Sequence, residues 1–332
     1  MNVVVAGPKG PTLVRHREGD SAVLAVAKVR EQSKPGGGIP VESHRKIGGT
    51  YRAVTLLIPL ATPRTILPAQ RGMGVDWLTA KELIERTMRA AKVHPMKPRV
   101  CCGAGTDHVA LADLRSEETI VAAYETQMEA IEAVGGQLIL MATRALPAIG
   151  ASPETYARVY RRLIDQAAEP VILHWLGDMF DPALSGYWGS EDVAAATDAV
   201  LDIIAANTGK VDGIKISLLD QAHEEAFRKR LPEGVRLYTG DDFNYANLIA
   251  GDGEHYSHAL LGIFAAISPA AAQALEALAQ GDMETYQRLL APTVPLSREI
   301  FRAPTRFYKA GVAFLSWLNG QQSHFIMPAG FQ

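Results

Sequence analysis

The chain has little cysteine, no long apolar run and no excess of charge of one sign, and each shortage removes a class of protein. Its two cysteines, Cys101 and Cys102, are adjacent. That spacing suits neither a disulfide framework nor a zinc ligand pair, so they read as buried strand residues. No stretch approaches the roughly eighteen uninterrupted apolar residues of a membrane span, and residues 1–7 carry no basic flank ahead of a long apolar segment. A cytoplasmic location and no membrane partner are therefore expected. Lys and Arg number 33 against 36 Asp and Glu, a net charge of −3. Without a basic excess no nucleic-acid partner is expected, and small-molecule chemistry is favoured.

What is present is a chain of 332 residues, 48% hydrophobic, able to bury a large α/β core. From residue 75 onward helix and strand alternate. Residues 75–93 read as a helix with Leu78, Leu83, Ile84 and Met88 on one stripe. Strands are expected at 99–103, 137–141, 171–175, 211–217, 235–239 and 258–266. The helices between them carry start signals such as Ser116 before Glu117 and Glu118, and Ser152-Pro153-Glu154. Helices at 269–279, 283–290 and 305–318 follow with no strand between them. A parallel sheet covered on both faces results.

An open doubly wound sheet usually shows a glycine-rich phosphate turn after its first strand, and none occurs. Gly103-Ala104-Gly105 lacks a third glycine. The fold class expected is therefore α/β, a (β/α)8 TIM barrel with an atypical N-terminal segment and a C-terminal helical extension. The expected division is a strand-rich segment with a degenerate first unit over 1–66, the barrel over 67–268 and the extension over 269–332. Within the first segment, 2–5, 22–29 and 51–60 are strand-like. The extension is of the kind that packs against a second subunit, so a homodimer or homotetramer is expected.

Lys215 stands out, because lysine is rarely buried without a reason. It lies inside Val211-Asp212-Gly213-Ile214-Lys215-Ile216-Ser217. Strand alternation puts it on one face with Gly213 and Ser217, while Ile214 and Ile216 point towards covering helices. An amine on the inner face of a parallel sheet has its charged form disfavoured, which makes it a usable nucleophile towards a carbonyl. The alternative is a lysine at the strand end, reaching solvent or pairing with Asp220. Other polar residues cluster where strands end: Thr106-Asp107-His108, Thr143-Arg144, His174, Asp178, and Gly240-Asp241-Asp242.

Gly213-Ile214-Lys215, and then Val235-Arg236-Leu237-Tyr238-Thr239-Gly240-Asp241-Asp242, resemble the dihydrodipicolinate synthase and N-acetylneuraminate lyase family. Ile267-Ser268-Pro269, Gly281-Asp282 and Tyr308-Lys309-Ala310-Gly311 agree with it. The resemblance covers residues 69–325. Within that superfamily the chain is most similar to an uncharacterised branch known as a domain of unknown function, at Ala69-Gln70-Arg71-Gly72-Met73-Gly74 and His174-Trp175. The resemblance implies a barrel in which a strand-six lysine forms a Schiff base with a keto acid and no cofactor is needed. Lys215 and His174 would then be catalytic, and Arg71, Gly72, Thr143, Arg144, Ser217, Asp241 and Asp242 would bind substrate.

Departures from the family modify that expectation. His174 stands where the family has a proton-relaying tyrosine, and a histidine can serve the same role or be a satisfied core residue. The 69–74 loop replaces a Gly-Thr-Thr-Gly-Glu segment. There Arg71 could grip an anion, which points to a substrate other than pyruvate. Residues 251–258 form a polar loop placed by the sequence on the active-site side. Its His255 and His258, with His174 and Asp178, are the candidate ligands for a divalent metal in a metal-dependent aldolase or isomerase. The stretch 175–188 holds two of the four tryptophans and reads as a lid over a sugar-like substrate, or as packing. The expected activity is a class I, Schiff-base lyase or aldolase on a small oxo compound, a keto acid or keto sugar. A non-catalytic sugar or keto-acid binding barrel is the reading from a different class.

Overall fold

A computed structural model describes residues 2–7, 10–15, 76–94, 99–320 and 323–326. Strands β1 (Asn2–Gly7) and β2 (Gly10–Arg15) pair antiparallel, with Asn2 opposite Arg15 and Gly7 opposite Gly10. Six further strands form one parallel sheet in sequential order: β3 (Cys101–Ala104), β4 (Gln137–Leu140), β5 (Val171–Leu176), β6 (Val211–Ser217), β7 (Arg236–Thr239) and β8 (His258–Ala259). The sheet curls into a half-barrel. The eight-stranded closure expected from the sequence is not formed among the described residues. There β3 and β8 are edges, and β1 and β2 pair with each other. The strand-like stretches at 22–29 and 51–60 lie outside the described residues.

The helices begin where local chemistry satisfies their first amides. In α1 (Trp77–Val93) the Asp76 carboxylate accepts from the Thr79 amide at 2.9 Å. Ser116 and Thr119 form a reciprocal capping box on α2 (Glu117–Glu132), and Ser152 caps α4 (Pro153–Gln166) with proline at its first position. Between these two lies the short α3 (Ala145–Ala148). Asp192 and Asp220 cap α5 (Val193–Ala205) and α6 (Gln221–Arg228), and α7 (Tyr245–Ala250) joins β7 to β8. The extension is α8 (Ser268–Ala279), α9 (Met283–Leu290), α10 (Thr293–Ile300) and α11 (Tyr308–Leu318). No helix among the described residues is long and apolar enough to cross a membrane.

Strand alternation divides the apolar residues into two cores. Cys102, Leu138, Leu140, Leu173, Trp175, Ile214, Ile216 and Leu237 face the helices in the large outer core. Cys101, Ile139, Ile172, Tyr238 and Leu260 form a separate inner cluster with Met141 against it. Both cysteines are buried, with the Cys101 thiol donating to Gln137 Oε1 at 3.0 Å, and burial pushes the Cys102 thiol up to about 12. They pack as strand residues of β3.

The structure departs from the sequence expectations at α1, at the last strand and at α10. α1 buries Ala80, Ile84, Thr87, Met88 and Ala91, while Leu78 and Leu83 are exposed, because the buried stripe is set by the neighbours of Ile84 and Met88. The last strand stops at Ala259, since the Ile263 amide is captured by the Asp242 carboxylate at 2.8 Å and a 3-10 turn follows. α10 is a helix beyond the three expected in the extension, and Pro295 lies inside it. The proline falls in the first turn, where no intrahelical amide is required of it.

Candidate active site

β6 carries Lys215 with His174 of β5 and Tyr238 of β7 as its register partners. The strand is flanked closely on its inner face. A Cβ at Gly213 would fall 2.4 Å from the Arg236 carbonyl oxygen and 2.8 Å from the Tyr238 ring. Glycine there lets that ring lie across the strand. At the N-terminal end Asp212 closes the inner face, accepting from Arg99 at 3.1 Å, Arg236 at 2.5 Å and the Tyr238 hydroxyl at 2.5 Å.

Lys215 is 5% exposed. Burial lowers its amine to about 8, and the Asp242 carboxylate opposes that shift. At neutral pH roughly a tenth of such an amine is uncharged, against well under a thousandth for an ordinary lysine. Asp242 is pushed the other way, to about 7, chiefly by burial and against the Ile263 amide and Lys215. The two groups lie on adjacent strand ends, because β7 is followed at once by the Gly240-Asp241-Asp242 turn. A Cβ at Gly240 would fall 2.0 Å from Ser217 Oγ and 2.6 Å from Lys215 Cε. Only glycine lets this turn close over the lysine.

His174 is buried. Its Nε2 lies 3.1 Å from Ser217 Oγ and its Nδ1 3.3 Å from Met141 Sδ. Burial, and then the Lys215 charge, hold its imidazole well below the usual range, so the ring is neutral. The structure thus brings together Lys215, His174, Ser217 and Asp242. Asp241 faces elsewhere: its carboxylate accepts from the Phe243 and Asn244 amides at 2.7 and 2.9 Å and from the Asn244 side chain at 2.9 Å. It shapes the turn that leads into α7.

Thr143 and Arg144 belong to a neighbouring cluster. Thr143 Oγ1 lies 2.6 Å from Thr106 Oγ1, and the Thr143 amide donates to the Tyr187 hydroxyl at 3.1 Å. Arg144 donates from Nε to Asp181 and from its terminal nitrogen to Asp107 at 3.4 Å. Burial raises the Asp107 carboxyl to about 6, against Arg144, with Asp181 adding to the rise and Lys309 opposing it. Lys309, from α11, is lowered to about 8 by burial and raised by Asp107. Arg71 and Gly72 lie outside the described residues.

The polar loop at 251–257 is corrected in its placement. α7 returns the chain, so the loop enters β8 at its N-terminal end, away from the lysine turn. A cavity of about 340 Å³ there is lined by His255, Tyr256, His258 and the start of β7. Burial, with Arg236 adding, takes His258 down to about 4. Asp178 is exposed near the opposite end. His174, Asp178, His255 and His258 therefore do not assemble, and no group of three metal-ligating side chains occurs among the described residues. The 175–188 stretch packs inward: Tyr187 and Trp188 are buried against Tyr156 and Tyr160. Their rings fill the core and are not free to stack on a ligand.

Lys309 and Glu224 are polar residues of these surroundings to which the sequence assigns no role. Glu224 is buried on α6, three residues before the core residue Phe227. That spacing on an amphipathic helix was the available signal.

The chain belongs to the family described as "Protein of unknown function (DUF993)", whose profile matches residues 6–332. Its fold is similar to that of solved dihydrodipicolinate synthases. The enzyme from Bacteroides thetaiotaomicron is 16% identical with a TM-score of 0.57, covering 82% of this chain and 91% of that one. The Thermotoga maritima enzyme is 13% identical with a TM-score of 0.54, covering 81% and 98%. YagE, a prophage protein of the dihydrodipicolinic acid synthase family from E. coli K12 solved in complex with pyruvate, is 13% identical with a TM-score of 0.53, covering 71% and 69%. A comparison with curated proteins finds no match.

Proposed function

We propose that the protein is a Schiff-base-forming lyase, an aldolase or hydro-lyase, acting on a small keto acid or keto-sugar-like substrate through Lys215, without a metal or organic cofactor. The observation that carries the reading is the Lys215 amine itself. It is buried on the inner face of the sheet next to the strand end and lowered to about 8, with a neutral imidazole and a carboxyl beside it. Likeness of fold to dihydrodipicolinate synthases supports the same reading. Lys215 attacks the carbonyl carbon, water leaves, and the resulting iminium accepts the electron pair of the bond broken next to it. His174 supplies the proton transfers. Arg71, Gly72 and Thr143 contact the substrate's anionic or hydroxylated end. Arg144, already shared by two carboxylates, orients that wall.

Borohydride reduction in the presence of 2-oxo acids, with pyruvate as the first probe, tests the reading. The wild-type chain should gain the mass of one reduced adduct, and Lys215→Ala should lose both adduct and turnover. His174→Phe should keep the adduct and lose about 10²–10⁴-fold in turnover. If no 2-oxo acid or keto sugar leaves an adduct and a chelator removes activity, the Schiff-base reading is replaced by a metal-dependent one.

A further inference from the structure

The His174 ring has no nitrogen left for a substrate. Its Nδ1 faces the Met141 thioether at 3.3 Å. A thioether has no proton to give, so Nδ1 carries the imidazole hydrogen and Nε2 is the basic nitrogen. That nitrogen faces Ser217 Oγ at 3.1 Å, and so it accepts the serine hydroxyl's proton. The imidazole is also 2% exposed, level in the sheet with Lys215, while Ser217 stands two residues further along the same inner face. Ser217 Oγ and Lys215 Cε both lie within 3 Å of one point above Gly240, at 2.0 and 2.6 Å. The serine oxygen is therefore beside the carbon that bears the reacting amine, and among the described residues His174 is its one hydrogen-bond partner.

We propose that Ser217 is the group that exchanges protons with the covalently bound substrate, and that His174 acts only through it. The inference rests on the Schiff-base reading of Lys215. Once the iminium has formed, the C–H bond next to it breaks. Its electron pair becomes the enamine double bond, and the iminium pair returns to nitrogen. The released proton passes to Ser217 Oγ as the serine's own proton passes to His174 Nε2. One positive charge leaves the Lys215 nitrogen and one appears on the imidazole, so total charge is unchanged. The charge at Lys215 that disfavours a protonated His174 disappears in the same step. Reversing the relay returns the proton to carbon.

The experiment uses the full chain and a set of 2-oxo acids, pyruvate, 2-oxobutyrate and hydroxypyruvate, in deuterated water. Two quantities are read: the borohydride-trapped adduct and the exchange of the hydrogens next to the carbonyl, followed by proton NMR. Ser217→Ala should still form the adduct while exchange falls by 100-fold or more. His174→Phe should behave alike, and the double variant should fall no more than about threefold below the slower single one, since groups acting as a unit are not additive. Exchange in Ser217→Ala within threefold of wild type would overturn the inference while leaving the Schiff base intact. Independent, multiplying losses in the double variant would also overturn it. An absent adduct in the wild type with every probe counts against Lys215 as the nucleophile and removes both.

Discussion

Lys215 and Asp242 face each other as a buried amine and a buried carboxyl, and burial disfavours the charge on both. Each partly restores the other's charge, which leaves the amine near 8 and the carboxyl near 7. The nucleophile is the neutral amine, so adduct formation should rise with pH until about 8 and level off above it. Replacing Asp242 by Asn removes the charge that raises the lysine while keeping an oxygen for the Ile263 amide. The amine should then titrate lower, and the midpoint of trapping rate against pH should move down by about one unit, a change worth roughly 1.4 kcal/mol between the two protonation states. An unmoved midpoint would mean that Asp242 does not act on the lysine. His174 and Ser217 set no limit in this range, because the imidazole is neutral throughout it.

Among the elements, α6 has a second part in the site. Its Glu224 accepts from Ser257 Oγ at 2.7 Å and Thr239 Oγ1 at 3.1 Å, and Thr239 Oγ1 accepts from the Asp241 amide at 3.1 Å. The helix thus holds the Gly240-Asp241-Asp242 turn through one threonine. Burial raises Glu224 to about 8; the hydrogen bonds and Arg228 oppose this and Asp241 adds to it. A carboxyl raised from about 4.5 to about 8 on folding binds more protons in the folded state between those values. Its contribution is full below about 4.5 and is lost as pH rises through about 8, at up to roughly 1.4 kcal/mol per unit. Glu224→Gln has no such titration. Urea midpoints taken between pH 5 and pH 8 should therefore fall more steeply for wild type than for the variant. Parallel curves would show that the folded protein keeps Glu224 charged.

The same elements show what the sequence could and could not convey. The inward aspect of Lys215 followed from strand alternation alone, since Ile214 and Ile216 had to meet helices. The partnership of His174 with Ser217 did not, because it depends on β5 and β6 pairing with His174 opposite Lys215. The sequence puts residues 251–257 on the wrong side of the sheet because α7, six residues long and without a side-chain cap, leaves little local signal. Arg144 reads from the sequence as available for substrate, whereas Asp107 and Asp181, distant in sequence, pair with it. For His174 and Arg144 the missing information was a contact between strands distant in sequence, which no local pattern encodes.

At the scale of the whole molecule, the C-terminal extension both supports the site and presents an apolar surface. From α10, Ser297 donates to the Asp242 carbonyl oxygen at 2.6 Å, and Arg298 reaches the Phe243 carbonyl at 3.2 Å and Asn244 at 3.1 Å. α11 follows it, with Tyr308 stacked on Phe301 at 4.4 Å. No residue of α11 is fully buried, and Phe314, Trp317 and Leu318 are exposed together with Phe325 and Ile326. The rings of Phe314, Trp317 and Phe325 lie 5.3–5.5 Å apart, so the apolar area is contiguous. Patches of this kind commonly mark subunit contacts. The expected outcome is a homodimer or homotetramer in light scattering at micromolar concentration. Trp317→Glu puts a charge at the patch centre and should lower the association state while leaving the circular dichroism spectrum unchanged. Because α10 holds the Asp242 turn from the same extension, the dissociated form should also trap substrate more slowly, by several-fold. A wild-type monomer at that concentration would remove the subunit contact, and an unchanged trapping rate in a dissociated variant would separate the surface from the site.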